Sequence, residues 1–144
     1  QELGYNYRLT DIQSALGIVQ LAKNVNGVQV RNKIAHSYKK AFEGKIKFQE
    51  LPSGMYNAHH LFIIEVENRK ELYDYLKSNN IFSQIHYIPV HLLPYYKNIG
   101  YEEANLIHSE KYYSKCISLP MYPTLKLNEQ KFVINEVLKF ISNE

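Results

Sequence analysis

The run from His60 to Val66 is the feature that most restricts what this chain can fold into. Five of its seven residues are apolar, and they follow one another with almost no polar interruption. A short run of this kind is typical of a strand that is covered on both faces. We therefore expect a central strand here, in an α/β domain whose small sheet is covered by helices.

Three shorter segments are predicted to add strands to that sheet, at residues 45–51, 81–87 and 117–119. The second of them shows the period-two alternation of side chains that is typical of a strand, and Pro89 ends it. Residues 88–102 hold prolines, a glycine and tyrosines without clear periodicity. We expect this stretch to be an ordered loop near a functional surface.

Apolar residues at helical spacing predict five helices, at about residues 10–24, 28–43, 68–78, 103–116 and 128–141. The first two are so close together that they form either a helical hairpin or one long kinked helix. Gly44 is predicted to end the second, and Asn68 and Asn128 to cap the third and the last. The last helix is expected to bury a stripe formed by Phe132, Val133, Val137, Phe140 and Ile141.

Length and composition exclude several classes of protein. The 144 residues suffice for one domain, and the net charge of +3 is spread among acids and apolar residues rather than concentrated as in a nucleic-acid reader. The single cysteine, Cys116, excludes an internal disulfide and favours a reducing, cytoplasmic location. No apolar run is long enough to predict a membrane span. The chain begins at Gln1 rather than Met, which suggests a piece of a longer chain.

The stretch Gly4–Gln13 combines polar side chains with a helix start. Thr10 and Gln13 have the spacing of a capping box, in which each side chain satisfies a backbone N–H of the first turn. Just ahead of it, Asn6 and Arg8 could grip an anionic group. The alternative is a capped surface helix with two polar residues before it, and residue types alone favour that alternative.

The densest group of polar and aromatic residues is the run His86–His91, followed by Pro94–Lys97. His86, Tyr87 and His91 could line a pocket, because a strand end holds the first residue while a loop supplies the rest. Histidines and tyrosines that merely fill a loop are an equal alternative. The spacing of His59, His60, His86 and His91 matches no recurrent zinc pattern, so no metal site is predicted.

Nucleophile and cofactor motifs are missing from the sequence. Cys116 is predicted to be a small core residue, and no P-loop, Gly-x-Ser-x-Gly or Gly-x-Gly-x-x-Gly motif is present. The residues alone thus predict an anion-binding entry and a polar aromatic pocket without a complete catalytic set.

The motif Gly-Tyr-Asn-Tyr-Arg-Leu-Thr-Asp-Ile-Gln-Ser-Ala-Leu-Gly at residues 4–17 closely resembles the signature of DegT-type sugar-nucleotide aminotransferases, which use pyridoxal phosphate (PLP). Residues 86–96 look most like the enzymes of the pseudaminic acid pathway, which aminate a UDP-linked 4-keto-6-deoxy-N-acetyl sugar at C4. Further matches lie at residues 31–38, 60–62 and 118–123. The resemblance therefore covers essentially the whole chain.

The resemblance implies roles for particular residues. Asn6 would reach across a homodimer interface to the phosphate of PLP in the neighbouring subunit, and Arg8 would support that region or meet the anionic substrate. His86, Tyr87 and His91 match the segment that lines the nucleotide-sugar pocket. The lysine that binds PLP belongs to an N-terminal domain that precedes residue 1, so the resemblance assigns no catalytic residue to this chain.

The resemblance also implies an organisation. Residues 1–44 would be a helical segment linking the large and small domains, and residues 45–144 the C-terminal small α/β domain of a fold-type I PLP-dependent transferase. The intact enzyme would move an amino group from glutamate to a nucleotide-linked keto sugar, and this chain alone would be inactive and would not retain PLP. The alternative function is a non-catalytic module that binds a carbohydrate or nucleotide.

Overall fold

The computed structural model describes residues 3–101 and 105–143. Its main elements are helix α1, strands β1 and β2, helices α2, α3 and α4, strand β3 and helix α5. In that order they span Asp11–Phe42, Lys47–Phe48, Phe62–Glu65, Arg69–Ser78, Pro94–Tyr96, Ile107–Lys115, Cys116–Leu119 and Leu127–Ser142.

Helix α1 is one continuous helix of 32 residues, so the two predicted helices are a single element and the hairpin alternative is wrong. At 1.5 Å per residue it is about 48 Å long. The predicted capping box is confirmed. The backbone N–H of Gln13 donates to Thr10 Oγ1 over 3.3 Å, and that of Thr10 donates to Gln13 Oε1 over 2.9 Å. The helix ends just before Gly44, whose φ of +69° suits glycine.

The sheet has three antiparallel strands in the order β1-β2-β3, which confirms that the apolar run supplies the central strand. Phe62 and Ile64 are buried on the face covered by helices. On the opposite face Ile63 and Glu65 are only partly covered, so the predicted cover of both faces is unequal. An antiparallel sheet permits this, because one of its faces can meet water.

The predicted strand at residues 81–87 is wrong. Burial does alternate there, with Ile81 and Ser83 buried and Phe82 and Gln84 exposed. However, the segment meets the sheet only at one bridge, in which the backbone groups of Gln84 and Ser118 exchange hydrogen bonds of 2.7 and 3.1 Å. All four residues of β3 pair with β2 along one edge of the strand, and along its other edge the described residues 81–87 form only this bridge and no regular ladder.

The hydrophobic core contains residues from both the first and the last helix of the described chain. The C-terminal half of α1 contributes Tyr38 and Phe42, and α5 contributes Val133 and Val137. The side chain of Gln130 on α5 is buried and donates from Nε2 to the carbonyl oxygen of Ile34 over 2.8 Å. Other fully buried members of the core are Ile64, Leu72, Leu76 and Ile117.

The helix boundaries differ from the predictions in detail. Lys126, not Asn128, is the N-cap of α5, and its backbone N–H donates to Glu129 Oε2 over 2.9 Å. Phe132 is 46% exposed, so it does not belong to the buried stripe of that helix. The predicted start of α4 at Glu103 lies outside the described residues, and the helix is described from Ile107.

The predicted loop after residue 88 consists largely of short helical turns. A 3-10 turn spans Val90–Leu92, α3 follows it directly, and a further turn over Lys97–Tyr101 is interrupted at Gly100. Across the described ranges, no helix combines the length and the apolar character needed to cross a membrane.

Candidate functional site

The first candidate group is the segment before α1, which holds Asn6 and Arg8. Both residues are exposed, and Asn6 Oδ1 accepts a hydrogen bond of 3.1 Å from the backbone N–H of Arg8. This local bond is an Asx-type turn. It occupies the amide oxygen of Asn6 and leaves the Nδ2 group and the Arg8 guanidinium as the polar ends of the segment. Both of these groups only donate hydrogen bonds.

This donor set fits a phosphate. Amide and guanidinium N–H groups suit phosphate oxygens, and the guanidinium fork adds a full positive charge. The segment also leads directly into the capped N-terminus of α1, where the helix macrodipole favours negative charge. The rings of Tyr5 and Tyr7 flank it, with their centroids 6.0 Å apart. The residues present therefore suit the phosphate of a cofactor such as PLP.

The second candidate group begins at His86. Nδ1 of His86 lies 2.9 Å from Oγ of Ser118 on β3, so the ring is attached to the partly covered face of the sheet. The neighbouring Tyr87 is 70% exposed, and its ring meets the His86 ring edge-on, with centroids 4.7 Å apart. Tyr87 thus presents an accessible ring and hydroxyl beside a fixed imidazole.

His91 has a different environment from the other two members of this group. It is 7% exposed, and its Nε2 lies 2.9 Å from Oε1 of Glu110 on α4. Glu110 is itself partly open to solvent, since its side chain is 46% exposed. The imidazole of His91 therefore already has a protein partner and is enclosed by protein.

The structure brings His86, Tyr87 and His91 together in one segment but does not join them to Asn6 and Arg8. Within residues 3–101 and 105–143, no hydrogen bond, ion pair or ring contact links the two groups. Residues 15–26 of α1 are exposed, and this part of the helix separates Asn6 from the core. Asn6 and Arg8 are thus exposed in one part of the chain, and Tyr87 is exposed in another.

His59, His60 and Cys116 add no further chemistry to these two groups. His59 is buried and His60 is exposed, and both precede β2 instead of lying on it. Burial, and then the charge of Lys39, lowers the pKa of His59. Cys116 is 1% exposed, as predicted for a core residue, and burial raises the pKa of its thiol. In the described part of the chain no three His, Cys, Asp or Glu side chains could hold a metal ion.

Sequence reasoning missed Ser118 and Glu110, which hold the two histidines. Ser118 did offer a signal, since it is a polar residue between the apolar Ile117 and Leu119 in a segment predicted to be a strand. A buried hydroxyl needs a hydrogen-bond partner. Glu110 offered none, because a glutamate on a polar helix is ordinarily a solvated surface residue.

Comparisons with known proteins agree with these features. The family model described as "DegT/DnrJ/EryC1/StrS aminotransferase family" matches residues 1–138. Among curated relatives, the UDP-4-amino-4,6-dideoxy-N-acetyl-beta-L-altrosamine transaminase of Campylobacter jejuni is 34% identical over 92% of this chain and 37% of its own length.

Two solved structures of aminotransferases are also similar to this chain. Helicobacter pylori PseC, an aminotransferase involved in the biosynthesis of pseudoaminic acid, superposes with a TM-score of 0.86 and 29% identity. That match covers 100% of this chain and 40% of PseC. Streptococcus pneumoniae Spr1654 in its PLP form is 30% identical with a TM-score of 0.86, over 94% of this chain and 36% of its own.

The chain spans about two fifths of the length of the curated relatives it matches. Its fold, with the three-stranded antiparallel sheet and its helices, is that of the matching part of these aminotransferases. The match of the family model to nearly all of its residues decides the assignment. The chain belongs to the DegT/DnrJ/EryC1/StrS aminotransferase family, whose members depend on PLP.

Proposed function

We propose that this chain is the C-terminal part of a PLP-dependent aminotransferase that moves an amino group from glutamate to a nucleotide-linked keto sugar. The observation that carries the proposal is the donor-only segment at Asn6 and Arg8, within a motif that the family model covers. An exposed pair of donors ahead of a helix start is suited to an anion supplied from outside this chain.

In this proposal Asn6 Nδ2 and the Arg8 guanidinium hold the phosphate of PLP. They would do so in trans, for a neighbouring subunit of a homodimer, as the resemblance of residues 4–17 to the family signature implies. PLP, when bound, supplies the electron sink that aminotransfer requires. The lysine that binds PLP would lie outside this chain. Residues 1–144 alone would then be inactive and would not retain the cofactor.

The nucleotide sugar would meet the segment His86–His91. Tyr87 offers an exposed ring for stacking and a hydroxyl for hydrogen bonding. Within the described residues Nε2 of His86 has no hydrogen-bond partner, so it can bond to a sugar hydroxyl or a phosphate while Ser118 holds Nδ1. The relatives named above favour a UDP-linked 4-keto-6-deoxy-N-acetyl sugar as the acceptor. The compartment proposed for this reaction is the cytoplasm.

Substituting Asn6 with alanine in the intact protein tests the cofactor role. We expect Asn6→Ala to weaken PLP retention by at least about tenfold, since one hydrogen bond to a charged group is worth about 1.5–3 kcal/mol. The measurement is PLP absorbance after dialysis, alongside thermal denaturation. Asn24→Ala, which changes an exposed asparagine within α1, is the matched control. Equal PLP affinity in the Asn6→Ala and Asn24→Ala proteins would contradict the role of Asn6.

A transamination assay separates the enzyme from the alternative, a non-catalytic carbohydrate- or nucleotide-binding module. The intact protein is expected to convert glutamate and the keto sugar, whereas residues 1–144 alone are expected to show no turnover. An intact protein that binds the nucleotide sugar but has neither PLP absorbance nor turnover would establish the binding module instead.

A further inference from the structure

The segment from His86 to Leu92 is held at both of its ends. At the first end His86 bonds to Ser118 on β3, and at the second His91 bonds to Glu110 on α4, each over 2.9 Å. The two attachments use different elements, a strand and a helix, that follow one another directly in the sequence. The segment therefore bridges from the sheet to the surface of α4.

Between these two attachments the side chains divide into an inner and an outer set. Pro89 and His91 are buried, whereas Tyr87, Ile88 and Val90 are exposed. The backbone between them closes a 3-10 turn, in which the N–H of Leu92 donates to the carbonyl oxygen of Pro89 over 2.9 Å. Tyr87 thus lies between the two attachments, and its ring contacts the ring of His86.

The partner of His91 is more exposed to solvent than the partner of His86. Ser118 is 4% exposed and belongs to the sheet, so the position of His86 follows from the fold. Glu110 lies in the first turn of α4, a nine-residue helix, and its side chain is half-exposed. Its Oε1 nevertheless contacts Nε2 of the buried His91 ring. The Glu110 carboxylate is thus the side-chain hydrogen-bond partner that attaches this end of the segment to α4.

We propose that Glu110 is a positioning residue for the nucleotide sugar, acting through His91 to hold Tyr87 in its binding orientation. The inference rests on the proposed function and assigns a role to a residue that does not itself touch the substrate. It also changes the role of His91, which supports the segment from within instead of contacting the sugar. Without the carboxylate, His91 loses the partner of its Nε2, and the segment from Tyr87 to Leu92 loses its attachment to α4.

The test compares Glu110→Ala and Glu110→Gln in the intact protein. Glutamine keeps an acceptor oxygen at the same distance along the side chain, so we expect it to preserve the contact, whereas alanine removes it. For Glu110→Ala we expect the KM for the nucleotide sugar to rise about tenfold, because misplacing a binding group by about 1 Å is costly. The KM for glutamate and the PLP absorbance are expected to stay unchanged.

Hydrogen exchange followed by mass spectrometry gives a readout that does not depend on activity. Glu110→Ala is expected to speed amide exchange in residues 86–93, and Glu110→Gln is not. Glu71→Ala is the matched control, since Glu71 is also an exposed glutamate in the first turn of a helix. It removes the same favourable charge from a helix start without touching His91.

Two results would overturn the inference. One is unchanged exchange in residues 86–93 of Glu110→Ala, which would mean that the carboxylate does not hold the segment. The other is faster exchange with an unchanged KM for the nucleotide sugar in an active enzyme, which would separate the segment from substrate binding. An inactive wild-type protein would overturn the proposed function instead, while the exchange data would still decide whether Glu110 holds the segment.

Discussion

The side chain of Tyr38 links α1 to the residue that follows β3. It is fully buried, its ring lies 5.0 Å from that of Phe62, and its hydroxyl donates to the carbonyl oxygen of Pro120 over 2.9 Å. Burial, and then the nearby Tyr122, raises the pKa of Tyr38 above its usual value. The neutral hydroxyl is thus the form that the folded chain accommodates.

Replacing Tyr38 with phenylalanine is expected to lower the free energy of unfolding of the chain by about 1 kcal/mol, since it removes one partly buried hydrogen bond. The difference should depend on pH. The unfolded tyrosine ionises near pH 10, whereas the folded one resists ionisation, so the contribution of Tyr38 is complete below about pH 10 and lost as the pH rises further. Urea denaturation from pH 7 to 11 measures this.

Tyr95→Phe is the control for that experiment, because Tyr95 is 67% exposed. Its stability should follow that of the wild-type chain at every pH. If Tyr38→Phe and the wild-type chain lose stability in parallel above pH 10, the hydroxyl of Tyr38 does not have the role given to it here.

At the scale of elements, β2 separates a closed face of the sheet from a partly open one. Ile64 is 0% exposed and faces the helices, whereas its neighbour Ile63 points to the other face and is only partly buried. We expect Ile64→Ala to lower the free energy of unfolding by about 2–4 kcal/mol, because it leaves a cavity in the core. Ile63→Ala should cost less than half as much.

Urea denaturation of the two alanine variants measures the difference, and their identical chemistry makes each the control for the other. Equal losses would show that both faces of the strand are covered to the same extent. That result would support the interpretation taken from the apolar run alone, against the unequal cover that the structure shows.

The elements that could be predicted from the sequence are those whose causes are local. The capping box at Thr10 and the central strand depend on residues a few positions apart, and both are confirmed. The strand predicted at 81–87 has the correct alternation of burial, but pairing also needs a partner edge. Strand β3 offers that segment only the backbone of Ser118.

The part of the candidate site that could be predicted also depends on residues that are close together in the sequence. His86, Tyr87 and His91 stand out in the sequence because unusual residue types are close together there. Glu110 lies 19 positions beyond His91, and only the folding of α4 against the 3-10 turn brings the two together. The burial of His91, which distinguishes it from Tyr87, likewise follows from tertiary packing that residue spacing does not encode.

For the molecule as a whole, the most informative surface is the N-terminal half of α1. Its apolar face, formed by Ile12, Leu16 and Val19, is 83%, 62% and 49% exposed. Contiguous apolar surface of this kind marks an interaction site. The residues have the spacing of a helix that packs on another element, and within the described residues no element covers them.

We expect residues 1–144 to self-associate through this face and Leu16→Lys to weaken the association more than tenfold. Burying a leucine side chain is worth about 1.5–3 kcal/mol, and a lysine there would bury a charge instead. Sedimentation equilibrium measures the association constant. Asn26→Lys adds the same charge to the same helix and serves as the control; an equal effect of both substitutions would assign the change to net charge alone.

The buried hydrogen bond from Gln130 to the carbonyl oxygen of Ile34 joins residues that are 96 positions apart. During synthesis, the C-terminal half of α1 therefore leaves the ribosome long before its partner helix α5 exists. At about 5–20 residues per second, roughly 5–20 s pass between the two. Until α5 is made, Tyr38, Phe42 and the core face of β2 lack the cover that Val133 and Val137 provide, and we expect chaperones that bind exposed apolar segments to recognise the nascent chain.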